Sequence, residues 1–470
     1  MKKKYVRWTL WTIASPFILF IILCILIYLP PIQNFLVDKA AVYASEATGM
    51  NISVGRISLS FPLNLVVTNV DAASPHNDTL LSVRRLQVNV QLLPLLKKQV
   101  EVDGISLQGA TVNSNDLIHG MKLNGTLGEL FISSHGVALD PETAIVNKVL
   151  LKDTDLSLCL NDTAAADTAA SDTAYWKIIL QDIDLQNVSF ALDMPLDSLS
   201  LAASLDNAIL RDGLIDLHKS AYSLQTFRIE NGRVRYDNGK PLAADSLSSG
   251  LDPSHIALTD IGVKLDSLYY GGRNMKAIIS QFVLKERSGV EIVSATGRMV
   301  SNDKVLRVPS LKLETRDSYL ELNAAMDWDA LDFKKEGLVS ARLMADIGKP
   351  DVVRFMGSMD EKFIRKYPSE PLRIRTGIDG DLNKLKLTTL TAELPGALEL
   401  FAKGELTSLT DSLLRGGDIT LQAETKDLKF ISTLAEGIEI PYGTRLEGKF
   451  TMAGPKICLL YTSPSPRDRG

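Results

Sequence analysis

Between Val54 and Val70 the chain reads VGRISLSFPLNLVVTNV, and its apolar residues keep to every second position. Ile57, Leu59, Phe61, Leu63, Leu65 and Val67 are odd-numbered, whereas Ser58, Ser60, Pro62, Asn64 and Thr68 are even. A period of two is that of a β-strand, because successive side chains leave the backbone on opposite faces. One face is greasy and the other wet. Such a greasy face either packs on a second layer or lines an open groove; the chain offers few helices to cover it, so a groove is expected.

The alternation recurs along the chain. Leu86, Val88, Val90 and Leu92 alternate with polar residues, and Trp176, Ile178 and Leu180 begin another run, while helical spacing after Gly49 is confined to an ambiguous stretch around Asp351–Tyr367. Four segments, starting at Ile105, Val149, Ile183 and Phe227, share the pattern apolar-x-apolar-x-(Gly, Asp or Asn)-x-x-apolar. The apolar phase slips by one residue at Gly109, Asp153, Asn187 and Asn231. A bulge or tight turn absorbs such a slip, and these residue types tolerate the left-handed backbone it needs. SLKLETRDSYLELNA from Ser310 and TLTAELPGALELFA from Thr389 read as two strand–turn–strand copies. Together these weak repeats predict a mostly β architecture built by accretion, in place of several unrelated domains.

The 470 residues carry a formal net charge of -5 and no long basic run beyond the first residues, so a nucleic-acid partner has no electrostatic footprint. Residues 1–8 are basic. Thr9–Leu29 then contain no charge, and about 20 apolar residues at 1.5 Å rise span a bilayer core of roughly 30 Å. Trp11, Phe17, Leu19, Phe20, Ile22 and Leu26 belong to this candidate anchor. Lys2, Lys3, Lys4 and Arg7 precede it, which by the positive-inside rule leaves the N-terminus in the cytoplasm and exports the rest. The apolar run exceeds the ~7–15 residues of a cleaved signal, which favours an uncleaved span. Over residues 30–49, Ile32, Phe35, Leu36, Ala40, Tyr43, Ala44 and Ala47 follow three- and four-residue spacing, an amphipathic helix that Gly49 can end. It reads equally as a plug over the end of the strand-rich body and as a packed helix at a domain edge.

Asn161–Ala174 repeats Asp-Thr-Ala three times and holds nothing large enough to bury, which predicts a flexible surface insertion, first to be cut by a protease and removable without loss of the fold. Thr163, Thr168 and Thr173 also sit in a short pattern resembling a periplasmic O-glycosylation acceptor, with a plain polar loop the simpler reading. Cys458–Gly470 matches one reading frame of a common sequencing adapter and reads as an artefact, so the natural sequence is expected to depart from this one after about Ile457 and to continue beyond it. Cys24, Cys159 and Cys458 make no disulfide framework or metal pair. Phosphate-loop, zinc-protease and nucleophile-elbow signatures are absent, and Asp379-Gly380 reads as a hairpin turn rather than a calcium loop. The expectation is a protein that is not an enzyme and needs no cofactor or metal.

The basic start, the single span, the helix and TGMNISVGRISLSFPLNLVVTNVDAASPHNDTLLSVRRLQVNV together resemble the N-terminal signature of the AsmA-like and TamB proteins (translocation and assembly module) of diderm bacteria. Gly49, Val54, Gly55, Ile57, Val67, Val70, Leu80, Leu81 and the strand Leu86–Val90 occupy the matching places. The likeness covers roughly the first hundred residues. It implies a single-pass inner-membrane protein with its bulk, residues 50–457, in the periplasm as a taco-like β-groove for phospholipid acyl chains moving toward the outer membrane. Ile57, Leu59, Phe61, Leu63, Leu65, Val67, Leu86, Val88 and Val90 would line that groove. The family's older assignment, outer-membrane protein assembly and secretion beside a barrel partner, and a structural envelope scaffold stand as alternatives.

Overall fold

The computed structural model describes residues 39, 41–42, 45–46, 48–60, 64–74, 79–91, 102–114, 120–138, 142–161, 175–239, 250–332, 335, 337–355, 361–381, 383–409, 415–433, 442–453 and 456–462. The candidate anchor, Phe61, Leu63 and the three threonines of the Asp-Thr-Ala repeat lie outside the described residues. Among the described residues, no helix is long and apolar enough to cross a membrane. Helical backbone at Lys39, Ala41, Val42, Ser45, Glu46 and Thr48 ends where Gly49, at φ 69°, donates its N–H to the Ser45 carbonyl at 2.9 Å.

The described residues form twenty-two strands. They divide into two compact units, residues 1–212 and 213–470. In the first unit, β1 (Asn51–Ser60), β2 (Asn64–Ala73), β3 (Thr79–Val90), β4 (Val102–Asn113), β5 (Met121–Ala138) and β6 (Thr143–Leu160) pair in sequence order, each antiparallel to the next. The opening alternation is thus a hairpin rather than one strand. Ile57 faces Val67 and Leu59 faces Leu65, so the odd-numbered residues still share a face.

β7 (Lys177–Met194) breaks the alternation of direction by pairing parallel to β6, with Thr143 beside Lys177 and Cys159 beside Asp193. A parallel neighbour requires the chain to return along the whole length of the strand it has just completed. The link that does so contains the Asp-Thr-Ala repeat. That repeat, expected to be a removable insertion, lies outside the described residues, and the parallel register sets the distance the link must span.

β8 (Leu199–Asp216) follows a 3-10 turn at Pro195–Asp197 and runs across the division. In the second unit β9 (Ala221–Leu224) and β10 (Thr226–Asn238) both pair with β11 (His255–Gly271). An antiparallel succession continues through β12 (Asn274–Glu286), β13 (Glu291–Ser301), β14 (Val305–Thr315), β15 (Tyr319–Asp327) and β16 (Val339–Ile347). It ends with β17 (Leu372–Gly380), β18 (Lys384–Leu394), β19 (Leu398–Thr407), β20 (Gly416–Thr425), β21 (Arg445–Ala453) and β22 (Lys456–Thr462). The two expected strand–turn–strand copies are β14–β15 and β18–β19. Strand pairing reaches Thr462, within the adapter-like segment. The turn expected at Asp379-Gly380 lies later: both residues end β17, and Asp381 closes the turn with Lys384 through two backbone hydrogen bonds of 3.1 Å.

The ambiguous stretch resolves into α1 (Lys349–Phe355) and α2 (Glu361–Lys366), both between β16 and β17. Phe363 and Tyr367 pack there with Leu394, Ala397, Leu428 and Phe430, a fully buried apolar cluster. The ring centroids of Phe363, Tyr367 and Phe430 lie 5.2–5.8 Å apart in tilted and edge-on arrangements, which suit the quadrupoles of aromatic rings.

Candidate functional site

Residues opposite one another in a ladder share a face, so the registers trace apolar rows across the first unit. One row runs Ile57–Val67–Leu86–Leu107–Leu130–Leu151–Leu185, from β1 to β7. A second, Val54–Val70–Val83–Ala110–Leu127–Thr154–Val188, runs beside it on the same face. The spacing between the two rows is three residues in every strand, not two. The extra residue falls at one level throughout: Gly55, Asn69, Arg84, Gly109, Gly128, Asp153 and Asn187. In a regular strand a three-residue step would send the second row to the opposite face. Here each strand slips together with its neighbours, and the face stays apolar on both sides of the crease.

Backbone chemistry explains which residues stand at the crease. Asn69, Gly109, Asp153 and Asn187 adopt φ of 54°, 62°, 50° and 51°, and Asn, Asp and Gly are the types that enter this left-handed region most readily. β1 and β5 bring glycines up close. A Cβ on Gly128 would lie 2.8 Å from the Cβ of Asp153, and one on Gly55 would lie 3.0 Å from that of Asn69. Asn187 donates from Nδ2 to Asp153 Oδ1 at 2.9 Å, tying the parallel pair together at this level. The slips expected at Gly109, Asp153, Asn187 and Asn231 (φ 53°) are all present. Asn69, Asp212 and Asp260, each at φ 52–54°, were missed, although VVTNV, ILRDG and LTDIG carry the same polar pair between apolar neighbours.

Ile57, Leu59, Leu65, Val67, Leu86, Val88 and Val90 therefore come together on one face, as expected of a shared surface, and all are half-buried. A second layer would bury such a face fully. Instead, among the described apolar residues of β1–β7, only Ala72, Leu80 and Val83 are buried, while Leu81 and Phe190 on this face are 37% and 39% exposed. The opposite face is mostly polar. For example, Ser53–Asp71–Ser82–Thr111–Thr126–Asp155–Ser189 and Arg56–Thr68–Arg85–Gln108–Glu129–Lys152–Gln186 run across it.

The second unit repeats the arrangement. Phe282–Ala295–Leu313–Leu320–Ala345–Ile374–Ala392–Leu400–Ala423–Leu446 crosses from β12 to β21 on one face. Its other face carries cross-strand ion pairs, Arg373–Glu393 at 3.5 Å, Arg375–Asp346 at 2.8 Å and Arg445–Glu424 at 3.3 Å. A shallow concavity of about 820 Å³ lies over these charges rather than over the apolar rows. Because its arginines are already paired, it reads as a solvated ladder of weak surface ion pairs.

The two ends of the second unit's apolar face differ. At the end where β16 stops and β17 starts, α2 sits over Leu372, Leu394 and Leu398 and closes it. Nearby, Asp351 on α1, 1% exposed, accepts hydrogen bonds from Ser318 Oγ (2.6 Å), Thr315 Oγ1 and Arg354 Nη1 (3.1 Å), docking α1 on the β14–β15 turn. The same end of β10 and β11 holds Asp237, which receives His255 Nδ1 at 3.0 Å and Arg235 Nε at 2.6 Å. The hydrogen bond with His255 pulls the Asp237 carboxyl below its usual range; burial opposes this and Arg235 adds to it. No protein-family model matches the chain, and no characterised protein matches its sequence.

Proposed function

We propose that the protein is an inner-membrane-anchored periplasmic β-groove that carries phospholipid acyl chains toward the outer membrane. The observation that supports this reading is the apolar face: continuous rows, mostly of Leu, Ile and Val, across seven strands, half-buried except at Val83 and Thr154, with no second layer over them among the described residues. Water is a poor neighbour for such a face, at roughly 25 cal/mol per Å² of apolar area. An acyl chain is a good one. Moving a chain from bilayer to groove exchanges one apolar environment for another, so the net cost is small and the chain can leave again. A conduit needs that balance, and a catalytic pocket does not; in this reading the protein performs no covalent chemistry.

Photo-crosslinkers at Leu59, Leu130 and Leu151 should yield phospholipid adducts in the intact membrane protein, and crosslinkers at Ser58, Ser106 and Gln108 on the other face should not. Leu59→Asp and Leu130→Asp should fold and lose adducts, because a carboxylate on an open face keeps its water whereas one in a dry core unfolds it. Equal lipid labelling from both faces, or collapse of both variants, would return the face to an ordinary core. Adducts to outer-membrane polypeptides in place of lipid would favour the assembly reading.

A further inference from the structure

The apolar face of the second unit has a closed end and an open one, and the open end is built differently. Its last row runs Tyr222–Tyr270–Met275–Ser301–Leu306–Met326–Val339. Tyr222 and Tyr270 stack with ring centroids 6.3 Å apart and remain 41% and 47% exposed. The tight turn that joins β11 to β12 places Gly272, at φ 64°, beside an exposed Arg273. The Arg273 guanidinium lies 5.7 Å from the centroid of the Trp328 ring, and the Trp328 indole N–H donates to the Asn302 carbonyl at 2.8 Å. The carboxylates of this rim are engaged elsewhere: Asp303 accepts from Asn274 Nδ2 at 3.1 Å, and Asp329 and Asp332 lie 3.1 and 3.8 Å from Lys335 Nζ. Among the described residues Arg273 has no carboxylate partner, whereas Arg354, at the closed end, is paired with both Asp317 and Asp351.

Building on the proposed lipid-carrying role, we infer that this rim is a phosphate-headgroup site: Arg273 takes the phosphodiester of a phospholipid, Trp328 and the Tyr222–Tyr270 pair lie at headgroup level, and the acyl chains run inward over Met275, Leu306 and Met326. Tryptophan and tyrosine suit that level because each has an apolar body and a polar tip. An arginine held against an aromatic face keeps donors free for phosphate oxygens in a fork that lysine does not reproduce. The far end carries α1, docked on the β14–β15 turn, and α2 over β17–β19, so the lipid has one orientation on this unit, headgroup toward the tyrosines.

Two photoreactive phosphatidylethanolamines test this on the full chain in membranes, one with its diazirine on the headgroup and one with it at mid-chain. Headgroup adducts should map to residues 268–276 and Trp328, and chain adducts to β14 and β15. Arg273→Glu should cut headgroup labelling about tenfold, the equivalent of one lost charge-assisted contact, while chain labelling and the melting temperature stay put. Headgroup adducts at the α1–α2 end, or labelling unchanged in Arg273→Glu, would overturn the assignment. So would loss of headgroup labelling to excess inorganic phosphate with chain labelling intact, which identifies a free-phosphate site. Absence of adducts from both lipids would instead refute the lipid-carrying role on which the assignment rests.

Discussion

Removing the Asp-Thr-Ala segment should disconnect β7 from β6. The register sets Thr143 beside Lys177, so a chain leaving Leu160 must regain the far end of the strand it has just finished. Along an extended strand at about 3.3 Å per residue that is roughly 56 Å. The link between Leu160 and Lys177, residues 161–176, reaches at most about 56–61 Å when fully extended. A bend at the crease shortens the direct path, yet even a right-angle bend leaves about 40 Å. Deletion of residues 161–174 leaves Tyr175 and Trp176, which reach about 10 Å.

The parallel pair then cannot form in its native register. What is lost includes the apolar pairs Val149–Ile183, Leu151–Leu185, Leu156–Phe190 and Leu158–Leu192, at roughly 0.2–1 kcal/mol each, besides the ladder hydrogen bonds. Lys152 and Gln186 are opposite one another, within the Cα separation a disulfide tolerates. In a background with the native cysteines replaced, Lys152→Cys with Gln186→Cys should crosslink in the wild-type length. It should crosslink equally when residues 162–174 become a Gly/Ser stretch of the same length, and fail in the deletion. Efficient crosslinking in the deletion would refute the reasoning, and failure in the Gly/Ser variant would show that sequence, not length, matters.

Gly128→Val should destabilise the first unit by about 1–3 kcal/mol in denaturant unfolding, since its Cβ would press on Asp153 at 2.8 Å; an unchanged midpoint would mean the crease yields. Phe363→Ala should cost the second unit about 3–5 kcal/mol, because the cluster cannot collapse around the two rings that remain, Tyr367 and Phe430, and calorimetry reads this directly. Asp351→Ala should be of similar size, leaving Arg354, Ser318 and Thr315 without their buried acceptor. Asp237 has its folded pKa lowered, so its contribution is present above the unfolded value near 4 and is lost as pH falls through the folded one. Asp237→Asn should therefore lower the melting temperature at pH 7 and converge with wild type in acid; a gap that persists at pH 2 would contradict this.

The chain's local chemistry carried much of the fold. Period-two runs marked strands because side-chain direction alternates whatever the partner, and Gly109, Asp153, Asn187 and Asn231 marked phase slips because few residue types enter the left-handed region cheaply. The stretch from Asp351 to Tyr367 was ambiguous in its spacing, and it holds two short helices of seven and six residues. Nothing local could announce that the slips of seven strands would fall into one crease, since register is set between segments far apart in sequence, and Arg84 or Gly128 alone carries no sign of what it faces. The parallel approach of β7 was equally hidden: a strand's own pattern is the same for either direction of its neighbour. Tyr222 and Tyr270 meet only because β9 and β11 pair, and Arg273 gains its ring from a turn fifty-five residues away. Composition chose strands and turns; the pairing of distant strands decided which apolar residues became one surface, and where it opens.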